Sequence, residues 1–403
     1  MAIPQEILKE RIRKVIGKMT EKGFEALVVY STGSSLGTTS RTHGYMRYLL
    51  DWDSRNGFSV LILWPDEEPT LFVSNPAYQR FAQEIFWFPD IRLASPERLG
   101  GALVSLLRPR LSPGWEVGII GRIETPFPVY DALLQGLPGV SLVEANSILD
   151  ELRIIKEPLA IAYHRRAAEL CDEMFQTFGR EVRRGKKAFQ LQADVEHTAR
   201  YAGCEHASTF LTIAPVIDRA RHYKAENQRV PQPGDQVLLA VFLSYEGHWG
   251  HAIRVGTLGE PNRAQRRAFD IALEMEEAAL AQVKPGMDLA EVWKASARVL
   301  AQHFPKGIDP QWFWLRTGHG LGLDYSDPIL TDVFRFPYEW SGEGKETETR
   351  RDSSIPIQPG MLLELHPNVF IPHEAAGAIG DMVLVTEKGY EILNQFPRAL
   401  IHW

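Results

Sequence analysis

Histidines placed beside glycines and on strand-like stretches are the side chains in this sequence best suited to chemistry. The 403 residues include twelve histidines and only two cysteines, Cys171 and Cys204. An imidazole exchanges protons near neutral pH and also ligates transition metals, so its neighbours decide its use. Residues two apart on a strand face the same side. Trp249, His251 and Ile253 therefore share one face of their strand, and His248 points away. Glu364 and His366 share a face by the same rule, which sets a carboxylate beside an imidazole. His319 sits in GHGLG. Those glycines lack the Lys-Ser/Thr of a phosphate loop and its strand-then-helix setting, so no nucleotide site is read there. His43, His164, His197, His303 and His402 have no motif around them, while His206 and His373 lie where a pocket rim is within reach. Two cysteines exclude a disulfide scaffold and a cysteine-based zinc site and fit a reducing, cytoplasmic setting.

The elements that must carry these residues follow from hydrophobic spacing. Apolar residues at helical intervals predict a helix over residues 7–22, ended by Gly23. Short apolar runs at 26–30, 57–64, 70–73 and 116–120 predict strands, and with helical stretches between them they imply a mixed or parallel α/β sheet. Beyond a boundary near Asp150, helices are expected at 159–181, 188–202, 263–283 and 289–303. Strands are expected at 208–214, 236–243, 252–257, 361–370 and 381–386. The length suggests two domains, 1–150 and 151–403. The formal net charge is −7, with no basic cluster to bind nucleic acid or an anionic membrane. No apolar run approaches the ~20 residues of a membrane span, and residues 1–9 lack the apolar core of a signal peptide.

Several phrases of the second half, in order, resemble the creatinase/aminopeptidase P/prolidase ("pita-bread") family. They are ELRIIKEPLAIAYHRRAAELCDEMF (151–175), RHYKAENQRVPQPGDQVLLAVF (221–242), GHWGHAIRVGTLGEPN (247–262), RTGHGLGLDYSDP (316–328), PGMLLELHPNVFIP (359–372) and GDMVLVTEKGYEIL (380–393). The resemblance implies an N-terminal creatinase-like α/β domain followed by a pita-bread domain of α+β character.

Family peptidases hold two divalent metals with two Asp, one His and two Glu, as the resemblance implies. Carried over position by position, these become Ala240, His251, His319, His366 and Gly380. No carboxylate ligand remains at those positions. The family's proton-shuttling histidine matches His222. The carboxylates by which creatinase itself would grip a guanidinium fall on Ile253 and His366, which argues against creatine. In the family dimer the N-terminal domain closes the partner subunit's pocket. The segment YLLDWDSRNG (48–57) resembles that closing stretch, with Trp52 and Arg55 as its candidate contacts and Arg55 suited to a substrate carboxylate.

Three readings follow. In the first, the chain is a hydrolase of a non-peptide C–N bond in a small molecule such as an amide, amidine, lactam or cyclic urea. It uses no metal pair, His222 is the general acid/base, His319 and Glu364 assist, and Trp249 and Asp381 contact substrate. In the second, His251, His319 and His366 converge on a single divalent transition metal for hydrolase or lyase chemistry. In the third, the fold survives as a binding protein without activity. A homodimer is expected in each, and neither nucleic acid nor membrane is a partner.

Overall fold

The computed structural model describes residues 3–218, 226–305, 317–327 and 355–403, so His222 lies outside the described residues. The chain divides into two compact units. The first comprises Met1–Arg153 with Leu323–Tyr325, and the second Ile154–Gly322 with Ser326–Trp403. The sequence had suggested a division at 150/151.

In the first unit, α1 (Gln5–Glu21) buries Leu8, Ile12, Val15 and Met19 along one stripe, and Gly23 follows it at a φ of +77°. The strands are β1 (Ala26–Thr32), β2 (Phe58–Leu63), β3 (Thr70–Val73), β4 (Ile91–Leu93), β5 (Glu116–Ile120) and β6 (Ser141–Glu144). They form one sheet in the order β4-β3-β2-β1-β5-β6, mixed in direction as expected. Alternation sends Leu27 and Val29 into one core with α1, α2 (His43–Leu50) and α6 (Asn146–Arg153). Ala26, Val28 and Tyr30 enter a second core with α4 (Leu99–Leu107) and α5 (Phe127–Gly136). Helix α3 (Pro76–Ile85) starts on an Asn75 cap, whose side chain accepts the Tyr78 N–H.

The second unit is built on a nine-stranded sheet. Its main path runs β10 (Gly318–Gly320), β11 (Leu362–Leu365), β13 (Ala375–Thr386), β9 (His248–Thr257), β8 (Gln236–Tyr245) and β7 (His206–Ala214). Strands β12 (Asn368–Ile371) and β14 (Gly389–Ile392) pair with β13, and β15 (Ile401–His402) pairs with β9. One face is covered by helices. Helices α7 (Pro158–Glu181) and α8 (Ala188–Tyr201) pack on Val237, Leu239, Val241, Leu243 and Ala252. Helices α9 (Arg263–Leu280) and α10 (Ala290–His303) cover Leu363, Leu365, Val383 and Val385 through their apolar sides. Gly377 lets α9 close down, since a Cβ there would lie 1.8 Å from the Ala268 carbonyl oxygen.

Helix-facing positions of this sheet are thus the odd residues of β8, β11 and the end of β13, with Gly250 and Ala252 of β9. The opposite residues of each strand face away from the helices.

Two expected elements differ. Residues 361–370 form not one strand but β11 and β12, interrupted at Pro367, which has no N–H to give to a ladder. Strand β9 begins at His248 rather than 252, so Trp249 and His251 lie within a paired strand. Among the described residues no helix is long and apolar enough to cross a membrane.

Candidate metal centre

Three histidines surround one carboxylate on the face of the second sheet that turns away from helices α7–α10. β9 supplies His251, β10 supplies His319, β11 supplies Glu364, and His366 follows directly. His319 is paired with Glu364 in register. Glu364 Oε2 lies 3.4 Å from His251 Nδ1, 3.4 Å from His319 Nε2 and 3.3 Å from His366 Nε2. All four residues are buried. The His251 and His319 rings are nearly parallel, with centroids 5.6 Å apart, and His366 is turned steeply to both.

Local contacts fix what each ring presents. His319 Nδ1 lies 2.9 Å from the Gly320 carbonyl oxygen, to which it donates, so its Nε2 lone pair faces the carboxylate. His366 Nδ1 lies 3.2 Å from the Asn368 amide nitrogen. This contact with the Asn368 amide holds the ring so that Nε2 points toward Glu364. His251 stacks on Phe242, its direct partner across β8 and β9, at 4.3 Å. Among the described residues, His251, His319 and Glu364 offer ligand atoms that all lie within 4.8 Å of one another.

Gly380 makes room for this arrangement. A Cβ there would lie 2.7 Å from Glu364 Oε1, 3.0 Å from His366 Cβ and 3.1 Å from Ile253 Cβ. The carboxylate occupies the space that any side chain at 380 would need. Ala240, opposite Ile253 in register, is also small, and next to it Phe210 and Phe242 pair at 4.7 Å as an apolar flank. Phe210 is 43% exposed, which opens this flank to solvent at β7.

The sequence profile of the metallopeptidase family M24 matches residues 162–387, more than half of the chain, and that of the creatinase/prolidase N-terminal domain matches residues 11–155. The chain belongs to metallopeptidase family M24. Among curated proteins it is 22% identical to an Xaa-Pro dipeptidase of Pyrococcus horikoshii over 98% of this chain and 100% of that one. It is 28% identical to the Xaa-Pro dipeptidase of Pyrococcus furiosus over 64% and 67% of the two chains. Among solved structures, the prolidase of Thermococcus sibiricus superimposes with a TM-score of 0.78 at 21% identity, covering 98% of this chain and 99% of that one. The Xaa-Pro dipeptidase of Bacillus anthracis gives 0.76 at 19%, covering 98% and 100%. The pita-bread fold expected from the motifs is therefore the fold of this M24 chain, and a hydrolase acting on C–N bonds is the activity class it shares with its family.

These relatives correct one expectation. Action on a non-peptide C–N bond in an amide, amidine, lactam or cyclic urea is overturned, because curated relatives, one of them matched over 98% of this chain, are named as Xaa-Pro dipeptidases. The motif reading went astray by treating lost carboxylates at the family positions as lost peptidase chemistry. It set Glu364 beside His366 as an assisting residue and not as a metal ligand.

M24 enzymes use divalent metals, and the residues here can be tested against that. A pair of ions bridged by carboxylates does not fit, since Ala240 and Gly380 bring no donor and Glu364 fills the room at 380. A single ion fits. Two ligand atoms each about 2.1 Å from a tetrahedral ion lie about 3.4 Å apart, and Glu364 Oε2 stands at 3.4 Å from His251 Nδ1 and from His319 Nε2. The set is two imidazoles and a carboxylate, where three imidazoles were expected. His366 is outside the set whose ligand atoms lie within 4.8 Å of one another.

The other expected site residues fall elsewhere in the M24 chain. Asp381 follows Gly380 on β13, so alternation turns it to the helix side, away from the histidines. There its two oxygens take Arg254 Nη2 at 2.7 Å and Arg398 Nε at 2.9 Å, which removes it as a substrate contact. Trp249 is buried on the strand of His251, packed on the His206 ring at 5.0 Å, and its carbonyl faces His164 Nδ1 at 3.0 Å. Burial, with Arg200 nearby, lowers the His206 pKa to about 4, and burial, then Lys156, lowers that of His164 to about 3, so both are neutral near pH 7. Trp52 is a core residue of the first unit. It donates from Nε1 to Ser59 Oγ at 2.8 Å and packs among Tyr78, Phe81 and Phe86. Arg55 is exposed on a turn at a φ of +47°.

Sequence reasoning missed Phe242, Asn368 and Arg254 as supports of the site. Period-two counting from Ala240 and from His366 reaches the first two. Arg254 carries no such signal, because it works from the opposite face of β9.

Proposed function

We propose that this M24 protein is a metal-dependent peptidase that cleaves the C–N bond of short peptides of the Xaa-Pro type. The observation that carries this reading is the ring of imidazole nitrogens at 3.3–3.4 Å around Glu364 Oε2. Dipeptidase relatives across the whole chain supply the substrate class. His251, His319 and Glu364 would hold the ion, which when bound polarises a carbonyl and acidifies water.

The chain's own residues contribute the rest. The bond from His319 to the Gly320 carbonyl keeps one lone pair aimed inward without further ordering cost. His366 Nε2 lies 3.3 Å from Glu364 Oε2, where its protonated form can stabilise negative charge or pass a proton to a leaving amine. Phe242 and Ile253 exclude water from one side, and the exposed Phe210 ring offers an apolar surface to a prolyl ring.

The test is direct. The purified protein, stripped with a chelator and reloaded with zinc, cobalt or manganese, is assayed on Ala-Pro, Leu-Pro and Ala-Ala. Metal-dependent release of proline from the Xaa-Pro pair, with Ala-Ala much slower, is expected. No cleavage of any Xaa-Pro dipeptide by metal-loaded protein sinks the reading.

A further inference from the structure

The crowding at Gly380 points further than a generic metal site. We infer that each chain binds one divalent ion rather than the pair its family uses, with Glu364 as the single carboxylate ligand, and that the site favours zinc-like ions over manganese or magnesium. This rests on the metal-dependent reading above but not on its substrate.

The first ground is space. A side chain at position 380 would begin 2.7 Å from Glu364 Oε1 and within 3.1 Å of the Ile253 and His366 Cβ atoms. The carboxylate tip could swing aside, but a side chain at 380 would also need the Ile253 and His366 Cβ atoms to give by a few tenths of an ångström. A carboxylate at 380 would therefore compete with Glu364 for this space. With Ala240 opposite Ile253, the sheet offers, among the described residues, no second carboxylate there to bridge another ion.

The second ground is donor chemistry. Imidazole-dominated sites suit zinc, copper, iron and nickel, whereas manganese and magnesium prefer sets rich in carboxylate, carbonyl and water. Here two imidazoles and one carboxylate converge, and His366 is outside that set. His366 is thus assigned a place beside Glu364 Oε2, at 3.3 Å, and not a ligand's role.

The experiment uses the full chain, stripped and titrated separately with zinc and with manganese, and read by native mass spectrometry and calorimetry. One zinc per chain is expected, with manganese weaker on the order of 100-fold. Glu364→Gln should weaken zinc by more than the roughly 10–100-fold typical of lost supporting contacts. Gly380→Ala should weaken it by displacing the same carboxylate. His366→Gln should still bind one zinc. Far-UV circular dichroism checks each fold, and if Glu364→Gln does not fold, wild-type stoichiometry and Gly380→Ala decide. Two ions per chain, no bound zinc, manganese as tight as zinc, or unchanged zinc affinity in Glu364→Gln each overturns the inference. One zinc per chain with no Xaa-Pro cleavage sustains it and sinks the peptidase reading. Two ions with cleavage does the reverse.

Discussion

Arg254 donates to Asp381 at 2.7 Å, and both side chains are wholly buried. The same guanidinium donates to the carbonyls of Ile253, Gly380, Phe396 and Pro397. It therefore ties β13 to β9, whose opposite face carries His251: Ile253 and Gly380 are neighbours in register. Removing one partner of a buried ion pair strands the other charge, at a cost of about 3–5 kcal/mol. Arg254→Met is expected to lower unfolding free energy by about that amount in urea titrations. A loss within ~0.5 kcal/mol, the range of ordinary surface substitutions, would refute this role.

Lys156 and Asp327 form a second buried pair, 3.2 Å apart. Asp327 donates its N–H to the Gly320 carbonyl, the same oxygen that takes the His319 Nδ1 proton. The pair thus holds the carbonyl that sets the orientation of a proposed ligand. Outer partners of this kind change metal affinity by about 10–100-fold when lost. Lys156→Met should weaken zinc binding within that range, and calorimetry on a variant whose melting temperature is also recorded separates this from unfolding. Unaltered zinc affinity would show that the pair serves the loop alone.

Much of this was legible in the sequence, but unevenly. Order of motifs reached the fold because glycines, prolines and strand-length apolar runs report local geometry. Alternation put Glu364 with His366 and Trp249 with His251, and each pair lies on one face. It also separates 380 from 381, a consequence overlooked for Asp381. What one strand cannot report is the space between strands. That Glu364 fills the place left by Gly380 depends on β11 and β13 lying side by side, with a Cβ at 380 directed at a carboxylate sixteen positions earlier in the chain. The motif around Trp52 likewise says where it lies in the chain and not that its ring packs among Tyr78, Phe81 and Phe86.

Glu276 gives the fold a pH dependence whose sign can be worked out. Burial and the neighbouring Asp381 raise its pKa to about 8, against the pull of Arg398, which donates to it at 2.7 Å. In the unfolded chain a glutamate titrates near 4.3. Between these values the folded state holds a proton that the unfolded state has lost, so stability is greatest below about pH 4–5, falls as pH rises, and levels off above about pH 8. One such proton gives a slope approaching about 1.4 kcal/mol per pH unit. Glu276→Gln, which cannot titrate, should flatten denaturant stability between pH 5 and 8 relative to wild type. Parallel curves for the two proteins would show that Glu276 is ionised in the fold.

Phe242 separates the metal and substrate roles of the apolar flank. Its ring stacks on His251 at 4.3 Å with planes 18° apart, and it meets Phe210 at 4.7 Å. Aromatic pairs contribute about 0.5–1.5 kcal/mol beyond simple burial, a factor of roughly 2–10 in affinity. Phe242→Leu keeps an apolar side chain while removing both stacks. If the flank receives a prolyl ring, KM for the Xaa-Pro dipeptide cleaved fastest should rise by that factor, with one zinc per chain retained. If its chief task is to hold His251, zinc affinity falls instead and KM measured at saturating zinc stays unchanged. Stoichiometry and KM measured on one preparation therefore assign the ring to substrate or to ligand.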